Sequence, residues 1–411
     1  MQDGAMTAAR DEAYATPLDT LDMSDPKRFK NDTIWPFFER LRREAPVHYC
    51  ENGMFGPYWS ICGYNDIMQT DMNHKVFSSE GGITLLEPRS DELRAPMFIA
   101  MDPPKHDDQR KAVSPIVAPG NLANMEALIR SRTIKVIESL PVNETFDWVD
   151  RVSIELTTQM LATLFDFPFE DRRLLTHWSD VATTIPVTPE DWDKREAELQ
   201  NCLKFFVGLW NERVNAPPKS DLISILAHAP ATRNMPPREY LGNLILLIVG
   251  GNDTTRNSMT GGLYHLNKNP GEYDKLRANP ALIPNMVSEI IRYQTPLSYM
   301  RRRALTDIEV RGKTIRKGDK VAMWYISGNR DGSVIPDADR FWIDRPNARQ
   351  HLSFGFGIHR CVGNRLAELQ LKILWEELVK RYPRVEVVGE PERVPSSFVH
   401  GYLTLPVRIS R

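Results

Sequence analysis

Four cysteines in 411 residues, Cys50, Cys62, Cys202 and Cys361, are too few and too irregularly spaced for a disulfide framework. A reduced, cytoplasmic setting fits that sparsity better than a secreted one. Long apolar runs are also missing. The longest, Leu244 to Val249, falls far short of the roughly 20 residues that cross a bilayer, so no membrane span is expected. The opening MQDGAMTAARDEAYATP lacks the apolar stretch of a secretory signal, and about the first 25 residues are expected to form a flexible segment. Neither sign of charge dominates. With 52 basic and 54 acidic side chains the net charge is −2, which removes the electrostatic case for nucleic acid or an anionic membrane. No repeat period and no low-complexity stretch is present.

What remains is an ordinary globular composition, 41% apolar, on a chain long enough to bury a sizeable core around a large cofactor. The first part mixes short strand-like pieces, VHYC at Val47 and YWSICG at Tyr58, with turns. Helical periodicity dominates from about Asn121 to Arg381. Strand-like patterns return in DIEVRGKTIRKGDKVAMWY, with a turn at Gly312, and in the C-terminal LTLPVRIS. No shift in composition marks a boundary. The expected fold is mainly α with a small β portion, one domain over residues 1–411. One helix is expected from Pro236-Pro237 to Asn269-Pro270, about 45 Å long at 1.5 Å per residue. Another is expected from Gly363 to Arg381, with Leu366, Leu369, Ile373, Leu374 and Leu378 on one face.

The most informative string is FGFGIHRCVG, Phe354 to Gly363. Gly355, Gly357 and Gly363 permit backbone angles closed to other residues and leave room for a flat group. Cys361 stands just before a helix N-terminus, where N–H groups and the dipole favour a thiolate. A lone cysteine is more often a small buried hydrophobe. Zinc needs about four ligands, and only His359 lies nearby. A Cys–His nucleophile does not explain the three glycines or Phe354.

The string resembles the F-G-x-G-x-H-x-C-x-G pattern of the cytochrome P-450 haem-thiolate monooxygenases, and fits it without a mismatch. The resemblance implies a helix-rich triangular prism, haem b, and iron axially ligated by Cys361. Further matches follow in the family's order. SEIIRYQTP carries Glu289 and Arg292 as E-x-x-R, about 70 residues before the cysteine, and Arg345 in FWIDRP matches the arginine that joins them. Their implied role is structural, fixing the cysteine loop; read alone, the pair is a solvated ion pair of little value. VGGNDTTRN resembles the family's oxygen-binding motif. Gly250 and Gly251 cost about 1 kcal/mol each inside a helix, offset either by close packing or by a groove for dioxygen. Asp253 and Thr254 match the acid–alcohol pair that delivers protons, although a helical threonine often bonds only its own backbone. His106 and Arg110, Arg302 in MRRRALTD, and His351 match positions that bind the haem propionates. Arg301 and Arg303 flank Arg302, so two registers are open.

By position in the family, the substrate lining includes Leu85, Leu86, Phe98, Ile99, Val249, Leu297, Met300 and Phe398. The alternative for each is ordinary core. An apolar lining favours an apolar substrate. MRRRALTD and HLSFGFGIHRCVGNRLAELQLKILWEEL look like the bacterial subgroup that hydroxylates terminal carbons of medium-chain alkanes and fatty acids. Tyr293 and Arg303 depart from that subgroup's Trp and Thr. A terpenoid or other compact hydrocarbon is the alternative substrate.

No flavin or nicotinamide fingerprint is present, so the resemblance implies a separate iron–sulfur ferredoxin and an FAD-containing NAD(P)H reductase serving a monomer. Lys105, Lys111, Arg349, Arg360 and Lys372 are candidates for a basic docking face. Two other functions compete. A peroxide-driven enzyme of the superfamily would replace the acid–alcohol pair, which is present here. A haem carrier or gas sensor would need neither that pair nor a docking face.

Overall fold

A computed structural model describes residues 2–410. Its frame is a set of helices around the helix Pro237–Lys268. Pro236 and Pro237 supply the preset backbone of its first turn, and His265 and Lys268 sit in its last. Most of its side chains are buried, because it is packed by Glu155–Phe165, Arg173–Thr183 and Ile283–Gln294 on different sides. Gly242, Gly261 and Gly262 let neighbours approach: a Cβ on Gly242 would lie 2.0 Å from the Pro96 carbonyl oxygen. Leu241, Ile245, Val249, Gly250 and Thr254 leave this packing to line a large internal cavity. Leu241, Ile245 and Val249, and again Gly250 and Thr254, are four residues apart, so they form one stripe along the helix.

The β portion is small. Its main sheet runs in the order Val47–Cys50, Tyr58–Ile61, Lys320–Met323, Met300–Ala304, Phe77–Ser78. Met300 pairs with Met323 and Arg302 with Val321. Alternation along this strand therefore puts Met300 and Arg302 on the cavity side and turns Arg301 away. A three-stranded sheet joins Thr145–Asp147, Pro406–Ile409 and Val385–Val387.

The N-terminal residues depart from the expectation of a flexible segment. Gln2–Ala15 is a helix that packs on Trp35–Glu44. Ala9 and Ala13 are buried, and the Arg40 guanidinium donates to the Ala13 carbonyl at 2.5 Å. Short alanine side chains let the two helices approach, a tertiary effect without a local signature. Among the described residues no helix is long and apolar enough to cross a membrane.

Candidate active site

The cysteine loop is held from three sides. Behind it, helix Ile283–Gln294 presents Glu289 and Arg292 one turn apart, both fully buried. Arg292 meets both Glu289 oxygens at 2.7 and 2.8 Å. Arg345 reaches the same carboxylate at 3.1 Å, and the Trp342 N–H donates to it at 2.8 Å. Arg292 Nη1 also donates to the carbonyls of Asn329 and Ala338. The structure thus joins Glu289, Arg292 and Arg345 in a dry network. Removing one member of a buried ion pair of this kind costs about 3–5 kcal/mol.

The second support is Asp71, at the end of helix Tyr64–Met72. Its buried carboxylate accepts from Arg302 at 2.7 Å, the Tyr325 hydroxyl at 2.7 Å and the Phe356 N–H at 2.8 Å. Gly355 and Gly357 have φ of +65° and +64°. A Cβ on Gly357 would meet the Asp71 carbonyl at 2.9 Å, so glycine is required there by both angle and space. The third support is the helix Asn364–Arg381 that follows Gly363.

Cys361 is exposed to the cavity it lines, with protein packed closely around the loop. Burial raises its thiol pKa above the ordinary value. The N–H groups of Gly363 and Asn364 and the charges of Arg110 and Arg360 pull the other way without overcoming burial. The helix terminus alone therefore does not secure a thiolate, and an iron cation would supply the remaining compensation.

Phe354, Gly355, Gly250, Gly251, Arg110 and Arg302 line the same cavity as Cys361. His106 and His351 do not. His106 stands behind the wall with Nδ1 on Asp107 at 2.8 Å and Nε2 buried without a partner. His351 is turned inward, its ring against Phe354 and its Nδ1 accepting from the Ser353 N–H at 3.2 Å. The cavity histidine is His359 instead. Its Nε2 is 2.9 Å from Ser79 Oγ, its Nδ1 is buried and unpartnered, and its ring contacts that of His106. Its position two residues before Cys361 was the available signal. Asp71 had none, being a lone acid in MQTDMNH.

The two glycines of the central helix differ. A Cβ on Gly251 would lie 2.6 Å from Leu161 Cδ2, whereas one on Gly250 would meet nothing within 4 Å. Packing accounts for the first, and cavity space for the second. The acid and alcohol diverge as well. Thr254 lines the cavity, with its hydroxyl on the Gly250 carbonyl at 2.7 Å. Asp253 is wholly buried on another side, accepting from Ser179 Oγ at 3.0 Å and paired with Arg256. Burial pushes its carboxyl pKa up, partly opposed by Arg256.

Of the expected lining, Leu86, Phe98, Ile99, Val249, Leu297, Met300 and Phe398 face the cavity. Leu85 does not. It is buried in the same core cluster as Trp324, and its N–H donates to the Tyr299 hydroxyl at 2.9 Å. Phe98 is placed by its N–H on Asn243 Oδ1 at 2.9 Å. Of the basic candidates, Lys105, Arg349 and Lys372 are engaged with Glu239, Glu368 and Glu376. Lys111 and Arg360 are exposed.

The cavity measures about 660 Å³, within the usual range for small-molecule sites. A flat dianionic macrocycle fits the residues around Cys361: sulfur for a metal, Gly250 opening the opposing helix, and Arg110, Arg302 and the unpartnered histidine nitrogens for two carboxylates.

Comparison with known proteins points the same way. The family model described as cytochrome P450 matches residues 120–409. Linalool 8-monooxygenase of Pseudomonas putida is 34% identical, covering 94% of this chain and 98% of its own. A methyl-branched lipid omega-hydroxylase of Mycobacterium tuberculosis is 33% identical, covering 90% of each. The structure of CYP153D17 from Sphingomonas sp. superposes with a TM-score of 0.92 at 52% identity, covering 96% of this chain and all of that one, 100%.

Proposed function

Since the chain belongs to the cytochrome P450 family, we propose that it inserts one oxygen atom from dioxygen at the terminal carbon of a medium-chain alkane or fatty acid. The chain is a haem-dependent monooxygenase, and the finer reading concerns its substrate. Haem, when bound, supplies the redox activation of dioxygen. Cys361 would hold it through its thiolate sulfur. Arg110, Arg302 and His359 would take its carboxylates, with His106 Nε2 behind them. The Glu289–Arg292–Arg345 network and Asp71 keep the loop in register.

Thr254 holds a proton at the cavity wall, its hydroxyl oriented by the Gly250 carbonyl. Asp253 is the acid that replenishes it, reached by rotation away from Ser179 and Arg256. Its raised pKa suits a proton carrier. The apolar wall excludes water and gives an alkyl chain nothing to bond. That wall, Ile245, Val249, Leu297, Met300 and Phe398 in one cavity with Cys361, is the observation that carries the reading. Electrons come from a separate iron–sulfur ferredoxin and its FAD-containing reductase, docking on the side of Lys111 and Arg360, in the cytoplasm.

The test is NADH-dependent turnover with ferredoxin and reductase over a series of alkanes and fatty acids, with product analysis. Terminal alcohols are expected. Oxidation at internal carbons only would overturn the regiochemistry. A second reading, oxidation of a compact terpenoid, is favoured by the similarity to linalool 8-monooxygenase, and linalool in the same assay decides between them. Haem binding without any product would point to a carrier or sensor.

A further inference from the structure

The cavity has a second polar end. Helix Pro189–Val214 begins with a capping box between Thr188 and Asp191. Trp192, Arg195 and Leu199 then fall on one face and line the cavity. Arg195 donates Nη2 to the Ala182 carbonyl at 3.0 Å. Its Nε is buried with no partner. The adjacent acid, Glu196, is engaged by Arg238 at 2.6 Å, and Arg238 Nη1 is likewise buried and unpartnered. Two guanidinium groups thus line the cavity, and of the two only Arg238 is paired with a carboxylate. A third, Arg89, lies 5.5 Å from the Trp192 ring.

Unpartnered buried donors cost about 1–3 kcal/mol each, and more when charged. Among the described residues of the wall, the other buried side-chain polar atom without a partner is on His359, two residues from Cys361. That end is accounted for by the cofactor's carboxylates. Nothing already described accounts for the Arg195 end. The central helix gives the separation. Arg238 and Thr254 both line the cavity, and 16 residues at 1.5 Å rise put them about 24 Å apart along the axis. Between them the same helix offers Leu241, Ile245 and Val249.

We propose that Arg195, assisted by Arg238, is a carboxylate-binding subsite, so that the substrate is a fatty acid held by its head group with its methyl end near Thr254 and Cys361. A guanidinium accepts a carboxylate through paired, charge-assisted hydrogen bonds. This inference rests on the monooxygenase reading and selects the acid over the alkane within it. A purely structural Arg195, bracing the two helices through Ala182, would leave head-group preference untouched.

Spectral titration of the haem-loaded protein with dodecanoate, its methyl ester and n-dodecane measures that preference. The wild type is expected to bind the acid at least about tenfold tighter than the ester. Arg195→Leu is expected to collapse the acid-to-ester ratio, and Arg195→Lys to recover part of it. An unchanged ratio in Arg195→Leu, or parity in the wild type, overturns the subsite. Parity in the wild type remains decisive should the leucine variant fail to fold. Absence of terminally oxidised product from all three ligands, with ferredoxin and reductase supplied, would refute the terminal-oxidation reading. The affinity ratio would still judge Arg195.

Discussion

Asp253 and Thr254 are neighbours in the chain but face different surroundings: Thr254 looks into the cavity, and Asp253 is locked against Ser179 and Arg256 beneath helix Arg173–Thr183. In the proposed relay the alcohol is therefore the member already in place, and the acid must move to reach it. Thr254→Ala is expected to keep the fold and haem but to lower product per NADH by roughly 10²-fold, with the difference appearing as peroxide. Unchanged coupling would exclude Thr254 from proton delivery. Asp253→Asn is expected to slow turnover and also to destabilise the protein, by less than about 3 kcal/mol because Arg256 keeps Asp180 at 2.9 Å.

Cys361 is tested by spectrum. The reduced protein with carbon monoxide is expected to show the strongly red-shifted Soret band of a thiolate ligand. Cys361→Ala is expected to abolish it, and an unaltered spectrum would reassign the ligand.

Gly250 and Gly251 are expected to respond oppositely to alanine. At Gly250 the new methyl meets no atom, so helix propensity is expected to raise stability by up to about 1 kcal/mol. That methyl enters the cavity beside the Thr254 acceptor, and weaker substrate binding is expected. At Gly251 the methyl must displace Leu161, and thermal melting is expected to show a loss. Equal effects at both positions would contradict the different surroundings assigned to them.

Glu289→Ala leaves Arg292 and Arg345 buried without their carboxylate. A loss of about 3–5 kcal/mol is expected, together with a lower haem-to-protein ratio, since Arg292 holds the Asn329 carbonyl and the Asn329 side chain bonds Leu352 and Ser353, just before the cysteine loop. Urea unfolding and haem quantification check it. Full stability would mean that the backbone carbonyls alone compensate both cations.

Acid should weaken the fold. Burial lowers the pKa of His351 to about 3 and that of His400 to about 4, from an ordinary 6.5. Below about 6.5 the unfolded chain binds protons that the fold refuses. The stabilisation is complete above that pH and is lost as pH falls toward the folded values, by roughly 1.4 kcal/mol per unit for each ring. Unfolding midpoints measured between about pH 7 and pH 5 are expected to drop; a level profile would mean the rings are protonated in place.

Much of this arrangement was legible in the chain because it is written locally. Phe354 to Gly363 declares its glycines and cysteine within ten positions. Pro236 and Asn269 bracket the central helix, and Glu289 and Arg292 are one turn apart. What was not legible depends on tertiary approach. The position of His351 suggested the cavity, yet its loop turns the ring inward and presents His359. Leu85 and Leu86 are equivalent by composition, and the contact that distinguishes them, the Leu85 N–H on the Tyr299 hydroxyl, comes from 214 residues away. Asp71 reaches Arg302, Tyr325 and Phe356 across more than 230 residues, a distance over which no motif reports.

The central helix bears on more than proton delivery. Leu241, Ile245 and Val249 stand on it as successive rungs, each turn advancing about 5.4 Å between Arg238 and Thr254. One rigid body then measures the ligand like a gauge, with no hinge between its two ends. Chain-length preference would be reset by the bulk of a single rung, a larger residue at Ile245 favouring shorter molecules and a smaller one admitting longer or branched ones, while the reacting end keeps its place.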